Sequence, residues 1–379
     1  MEQFLPRFTW NNPTRVIFGV GRLAELRAHV DEIAGEGSRI FLVTGRSSLK
    51  GRGILQRVLD YLGEGRVTLF DQASPYPSPD LADVATALCR EAGSQVVVAI
   101  GGGSVMDLAK VVALLSNKEG TAQEFSLGER IIEGPGLPFI AVPTTSGSSS
   151  EVTMSSALWD REGKQHMGLS SRHMFPTVAI VDPELTMSMS KSLAAVTGMD
   201  AFTSAIESYW STEAEPVTDG INLQVIQIFN TNLDRSSIQG DIESRTHCAM
   251  AATMSGIAYS NSRPNACHAV GIPLTLYWRI EHGQAVGVTL TTLLRWAAPG
   301  IPHKMPALYT ALGVQDLDGA CARITQIMTR CGLETRLSGL GLGEGDIDTL
   351  VENTRWDRTR ALPRPLGQDD LRSLLTELL

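Results

Sequence analysis

Five short apolar runs punctuate the first half of the chain, at residues 39–44 (RIFLVT), 67–70, 95–100, 138–142 and 178–181, each bounded by glycine, proline or polar turn residues. Runs of this length and setting read as strands buried on both faces. Between them, residues 53–62 and 79–92 carry apolar side chains at helical spacing. Strands that alternate with helices need crossover connections and assemble as a parallel sheet covered on both sides. From about residue 190 the texture becomes rich in Leu, Ala and Met with helical periodicity. Helices are expected near 190–210, 222–233, 242–259, 284–296, 319–331, 347–353 and 369–379, with Gly198 a point where the first could divide. An α/β domain over residues 1–185 and an all-α domain over residues 186–379 are therefore expected.

Composition narrows the function. The chain has 32 basic and 41 acidic residues, a net charge of −9, and no long basic run, which speaks against a nucleic-acid partner. Its longest apolar runs, such as residues 96–100, fall far short of the roughly 20 residues that a membrane span needs. The opening MEQFLPRFTW lacks the layout of a secretory leader. Five scattered cysteines with no CxxC pair suggest neither a disulfide framework nor a cysteine metal site, so the expected setting is the cytoplasm.

Gly101-Gly102-Gly103-Ser104 follows the strand at 95–100 and opens a helix running through Asp107 and Lys110. Glycines there let a backbone approach a pyrophosphate, and the helix N-terminus offers free N–H groups; the plainer reading is a tight turn. The next strand is followed by a loop in which six of the seven residues 144–150 carry hydroxyls, suited to phosphate and ribose oxygens or simply to solvent. Two such loops at the carboxyl ends of strands in one sheet converge where these sheets bind dinucleotides. The strand at 39–44 runs into Gly45-Arg46-Ser47-Ser48. An acid there would hold a ribose 2′-hydroxyl; Arg46 and Ser47 suit a 2′-phosphate instead, which favours NADPH over NADH unless Arg46 is an ordinary surface arginine.

Of only seven histidines, His268 and His282 lie 14 residues apart around an apolar stretch that contains Pro273. Asp200 begins a helical segment that continues to Glu207. One carboxylate and two imidazoles make a three-ligand site for a divalent ion with positions left open, although two histidines on helices also occur as plain structural residues.

With these motifs in hand, the chain resembles the iron-containing (group III) alcohol dehydrogenase family. The likeness runs from Phe18-Gly19-Val20-Gly21 through GGGSVMDLAK (101–110), PTTSGSSSEVT (143–153), VDPEL (181–185), GMDAFTSAIE (198–207) and HAVGIPLTLYWRIEHG (268–283) to the Pro363-Arg364 pair. It implies an N-terminal dinucleotide-binding domain, a C-terminal helical catalytic domain, catalysis where the two meet, and commonly a homodimer. Position by position, it makes residues 101–104 the pyrophosphate cradle and Thr144, Thr145 and Ser148 cofactor contacts, with Asp107, Lys164 and Leu185 as further cofactor candidates. Asp200, His268 and His282 become ligands of iron or zinc. Where the family has a fourth ligand histidine this chain has Ser204, and where it has a further histidine this chain has Ile272. Serine is a poor ligand for such metals, so a metal-free site in which a protonated histidine polarises the carbonyl stays open.

ESYWST (207–212), RPNACHA (263–269) and PLTLYWRIEHGQAVGVTL (273–290) are similar to the phosphonoacetaldehyde reductase-like branch of phosphonate metabolism. That implies reduction of phosphonoacetaldehyde to 2-hydroxyethylphosphonate, or of phosphonopyruvate to phosphonolactate. The Arg279-Ile280-Glu281 wording departs from the branch and keeps a sulfonated or general short-chain aldehyde in view. A small anionic carbonyl compound needs fixed cations. Arg263 is the first candidate and Arg279 the second; Ser149, Ser150, Asn261 and Ser204 are weaker ones. Two other readings remain: a relative of glycerol dehydrogenase or dehydroquinate synthase, and a non-catalytic nucleotide-binding protein, against which the retained trio argues.

Overall fold

The computed structural model describes residues 7–46, 49 and 53–379. In chain order its strands are β1 (Arg15–Phe18), β2 (Ile40–Gly45), β3 (Val67–Ala73), β4 (Val96–Gly101), β5 (Phe139–Pro143), β6 (Ser155–Asp160), β7 (Gln165–Ser170) and β8 (Val178–Val181). Six of them form one parallel sheet in the order β1-β8-β5-β4-β2-β3, while β6 and β7 pair apart as an antiparallel hairpin. Helices α1 (Leu26–Ala34), α2 (Ile54–Leu62), α3 (Pro79–Glu91), α4 (Gly103–Leu115) and α5 (Ala122–Ser126) complete this unit. Alternate residues explain the apolar runs. Ile40, Leu42, Val96 and Val98 pack with α1 and α2, whereas Phe41, Val43, Val97 and Ala99 pack with α3 and α4. A sheet buried on both faces requires apolar residues at every position.

This first unit spans Asn12–Met189, and Ser190–Leu379 with residues 7–11 forms the second. The division falls four residues beyond the expected 185 because the 3-10 turn Pro183–Ser188 stays with the sheet. Its N-cap, Asp182, accepts hydrogen bonds from the Gly21, Leu23 and Glu184 N–H groups. Asn11 joins the helical unit through paired hydrogen bonds with the Asn261 side chain.

The second unit consists of α6 (Lys191–Trp210), α7 (Pro216–Ile238), α8 (Ile242–Ser262), α9 (Ala266–Trp278), α10 (His282–Gly287), α11 (Leu290–Ala297), α12 (Met305–Leu312), α13 (Leu317–Arg330), α14 (Glu344–Glu352) and α15 (Gln368–Glu377). Gly198 does not divide α6. A Cβ there would lie 2.3 Å from Leu233 Cδ1, so the glycine lets α7 pack close against an unbroken helix. Among the described residues, no helix is long and apolar enough to cross a membrane.

In the sheet unit, Lys110 of α4 is almost fully buried. Its ammonium donates to Thr153 Oγ1 at 2.9 Å and to the Ser155 carbonyl at 2.8 Å. Burial pushes it down to about 8, against the opposing pull of Asp107 and Glu151. Between about pH 8 and the ordinary lysine range the unfolded chain holds the proton and the folded chain does not, so stability rises with pH. Below that window the folded protein carries the buried charge at a cost on the order of 3 kcal/mol. Denaturant titrations from pH 7 to 10.5 are expected to show wild type gaining stability relative to Lys110→Met as pH increases; parallel profiles would refute this.

Candidate metal centre and cofactor cradle

Asp200, Ser204 and Glu207 recur at helical spacing and share one face of α6. The neighbouring elements are locked to that face. Asn265, the N-cap of α9, accepts from Trp210 Nε1 at 2.7 Å and donates to the Glu207 carbonyl at 3.2 Å, which fixes the first turn of α9 and with it His268. Helix α10 begins at His282. A Cβ on Gly283 would sit 1.9 Å from the Val196 carbonyl oxygen, so only glycine lets this turn rest on the α6 backbone.

The result is a compact donor set. One potential ligand atom from each of Asp200, His268 and His282 lies within 4.8 Å of the others. His268 Nε2 is 3.3 Å from Asp200 Oδ1, and the two imidazole centroids are 5.3 Å apart. Ser204 is buried with its hydroxyl 3.4 Å from His268 Nε2.

Behind His268 lies Glu207, which sequence reasoning did not single out. It is fully buried; one oxygen accepts from the Cys267 N–H and the other bonds His268 Nδ1. A carboxylate on Nδ1 fixes the ring and keeps its proton on that side, leaving Nε2 as the ligand atom. Its sequence signal was its place seven residues after Asp200, on the same helix face.

Electrostatics agree with a cation site. Burial pulls the His268 imidazole down, but Glu207 and Asp200 outweigh it and raise it to about 9. Burial holds His282 down at about 4 despite Asp200. Burial pushes Asp200 up, but its bond to His268 and the nearby imidazoles win, and its carboxyl titrates below the ordinary range. Two carboxylates around one imidazole thus favour an extra positive charge, which a divalent ion would supply in place of a proton. One carboxylate and two imidazoles suit zinc or ferrous ions. The residues present fit such a group.

In the sheet unit, β4 and β5 are neighbours in register, with Gly101 opposite Pro143, and the Thr144 N–H donates to the Gly101 carbonyl at 2.9 Å. The 101–104 turn and the 144–150 loop therefore leave the same sheet edge side by side. No side chain among the described residues caps α4, so its first N–H groups remain available to an anion. A Cβ on Gly103 would lie 2.3 Å from Ser148 Oγ, and one on Gly102 would lie 3.3 Å from Thr145 Oγ1. The buried Ser146 hydroxyl has no hydrogen-bond partner among the described residues. This cradle fits a pyrophosphate.

Several residues expected to contact ligand also have places within the fold. Asp107 accepts from the Ser150 hydroxyl at 2.6 Å and from the Ala157 N–H at 3.1 Å, so both staple α4 to the following segment. The Ser149 hydroxyl donates to the Gly147 carbonyl. Ser104 Oγ accepts from the Tyr76 N–H. Lys164 is exposed in the turn between β6 and β7, and Leu185 is buried in the apolar core of the sheet unit. Gly45 ends β2 and Arg46 is exposed in the bend after it; Ser47 lies outside the described residues.

Among the substrate candidates, Asn261 is committed to the Asn11 backbone and the Ile257 carbonyl. Arg279 is exposed at the C-cap of α9 in the left-handed conformation, where nothing places it at the trio. Arg263 is exposed and caps α8.

Comparison with known proteins gives matches along the whole chain. Residues 13–183 match the family model described as iron-containing alcohol dehydrogenase, and residues 194–379 match that of the Fe-containing alcohol dehydrogenase family, C-terminal. The long-chain-alcohol dehydrogenase 1 of Geobacillus thermodenitrificans is 29% identical over 94% of this chain and 93% of its own. The sulfoacetaldehyde reductase of Bilophila wadsworthia is 27% identical over 95% and 96%. The crystal structure of the sulfoacetaldehyde reductase from Bifidobacterium kashiwanohense in complex with NAD+ superposes with a TM-score of 0.92 at 30% identity, covering 98% of this chain and 99% of that one.

Replacing Glu207 with Gln is expected to weaken binding of zinc or ferrous ion about 10- to 100-fold, measured by titration against a competing chelator, while circular dichroism stays native. Unchanged affinity would remove Glu207 from the centre.

Proposed function

The chain belongs to the iron-containing alcohol dehydrogenase family, and from that premise we propose that it reduces a short aldehyde or ketone bearing a sulfonate or phosphonate group. The observation that carries the chemical part is the convergence of Asp200, His268 and His282 in front of a buried Glu207. The three would hold a divalent metal, which would supply Lewis-acid activation of a carbonyl oxygen. A reduced nicotinamide supplies the hydride. Glu207 keeps the proton of His268 on Nδ1, so that ring presents its lone pair at Nε2 and does not drift between tautomers. Ser204, in the place of a fourth ligand, offers a hydroxyl at the edge of the donor set.

The α4 N-terminus, with Gly102, Gly103, Thr144, Thr145 and Ser148 around it, receives the pyrophosphate. Arg46 selects NADPH over NADH, since no acid follows β2 to repel a 2′-phosphate. The anionic substrate class is supported by the two sulfoacetaldehyde reductases among the relatives and by Arg263, five residues before His268.

His268→Ala is expected to lower kcat/KM about a thousandfold across aldehydes, and chelation of wild type to do the same until zinc or ferrous ion is restored. Full activity in metal-free protein would sink the Lewis-acid reading. Arg46→Asp is expected to cut kcat/KM for NADPH about tenfold or more and leave NADH within about threefold. Equal effects on both would show that Arg46 does not read the 2′-position.

A further inference from the structure

Pro273 lies inside α9 and has no N–H, so the Ala269 carbonyl four residues earlier lacks its helical partner. The structure fills that vacancy from outside: the Arg355 N–H donates to Ala269 O at 3.1 Å. A few residues on, the Thr212 N–H donates to the Ala361 carbonyl at 2.9 Å, tying the far end of the 3-10 turn Arg358–Ala361 to the residues just after α6. The 355–361 segment is thus fastened to the helix bearing His268 and to the end of the helix bearing Asp200 and Glu207.

The guanidinium groups on this segment differ. Arg355 is paired with Asp357 at 3.0 Å. Arg358 is half-buried, and its side chain has no hydrogen-bond or ion-pair partner among the described residues; the same holds for the exposed Arg263. Arg358 sits where charges are felt strongly. Burial and the neighbouring Arg355 push it down, Asp357 and Glu207 oppose that, and Arg263 adds to the repulsion. Two cations held within range of each other repel unless an anion lies with them. The nearby carboxylates do not serve: Asp357 is paired with Arg355, Asp200 lies against His268, and both Glu207 oxygens are taken up by the Cys267 N–H and His268 Nδ1. Both arginines are then left for a ligand.

We propose that Arg358, together with Arg263, binds the sulfonate or phosphonate end of a substrate whose carbonyl end lies at the Asp200–His268–His282 trio, a specificity role that rests on the anionic-carbonyl reading above. Guanidinium groups suit such tetrahedral oxyanions because their forked donors meet two oxygens at once.

The test compares wild type, Arg358→Gln and Arg358→Lys on sulfoacetaldehyde, phosphonoacetaldehyde and propanal, with calorimetric binding of ethanesulfonate as a readout independent of turnover. Arg358→Gln is expected to lower kcat/KM for both charged aldehydes about 30- to 100-fold, propanal by less than about threefold, and ethanesulfonate affinity in proportion to the charged substrates. Arg358→Lys is expected to lose about fivefold, on the charged substrates alone, since it keeps the charge and loses the fork; it carries the test if the glutamine variant does not fold. A wild type indifferent to substrate charge overturns both this inference and the anionic-substrate reading. A wild type that prefers the anions, with variants that lose equally on all three aldehydes, overturns the Arg358 assignment alone. The ratio of sulfonate to phosphonate turnover identifies which oxyanion the seat accepts.

Discussion

The grouping of Asp200, His268 and His282 in the helical unit depends on a buried carboxylate. Glu207 has no exposure to solvent, and a charge in that position is tolerable only when its oxygens are fully engaged. Both are, by the Cys267 N–H and by His268 Nδ1. That demand orders the surroundings. The start of α9 must approach α6 closely enough to supply two donors, and the Asn265 side chain, bonded to Trp210 and to the Glu207 backbone, holds it there. An uninterrupted α6 then places Asp200 two turns back on the same face, and the glycine at 283 brings His282 onto it.

Against that frame, Ser204 in the place of a fourth histidine is a change of grip rather than of charge. Neutral imidazole and hydroxyl carry the same formal charge, so the balance between two carboxylates and a divalent ion is unaltered. A metal there would be held less tightly, because an alcohol is a weaker donor than an imidazole to zinc or ferrous ion. Three protein ligands still leave positions for other oxygens. Ile272 is buried in α9 and has no group to carry a proton, so any relay runs elsewhere.

Where burial dictated composition, the fold could be read directly: the central strands are apolar at every position because both faces are covered. The edge strand β1 and the hairpin β6–β7 left no such imprint, since Arg15, Ser155 and Gln165 sit in partly solvated strands. Helix α9 was hidden by Pro273, whose cost is met by the hydrogen bond from Arg355 to Ala269, 86 positions apart, which no local rule foresees. The same limit applies to site residues. Asp200, His268 and His282 stood out by type and rarity, but a motif does not distinguish a ligand contact from a staple. Asp107 and Lys110 both proved to fasten α4 to the β6 region. Arg358 had no motif, because what singles it out is its distant neighbours.

Those neighbours also bear on how an acidic protein handles an anion. With a net charge of −9, the chain's distant field repels such a ligand. At physiological ionic strength, however, exposed charges more than about 8 Å apart are largely screened. A half-buried guanidinium is screened much less and keeps most of its attraction at short range. If the proposed seat binds an anion, the exposed Arg263 would contribute chiefly to approach, and its effect would weaken with added salt. Arg358 would contribute to retention, which salt reduces far less. On the proposed reading, selectivity for an anion on an acidic protein would reside in a fixed, poorly solvated cation, and the Ala269 carbonyl that Pro273 leaves open is one of the two points at which the 355–361 segment is tied down.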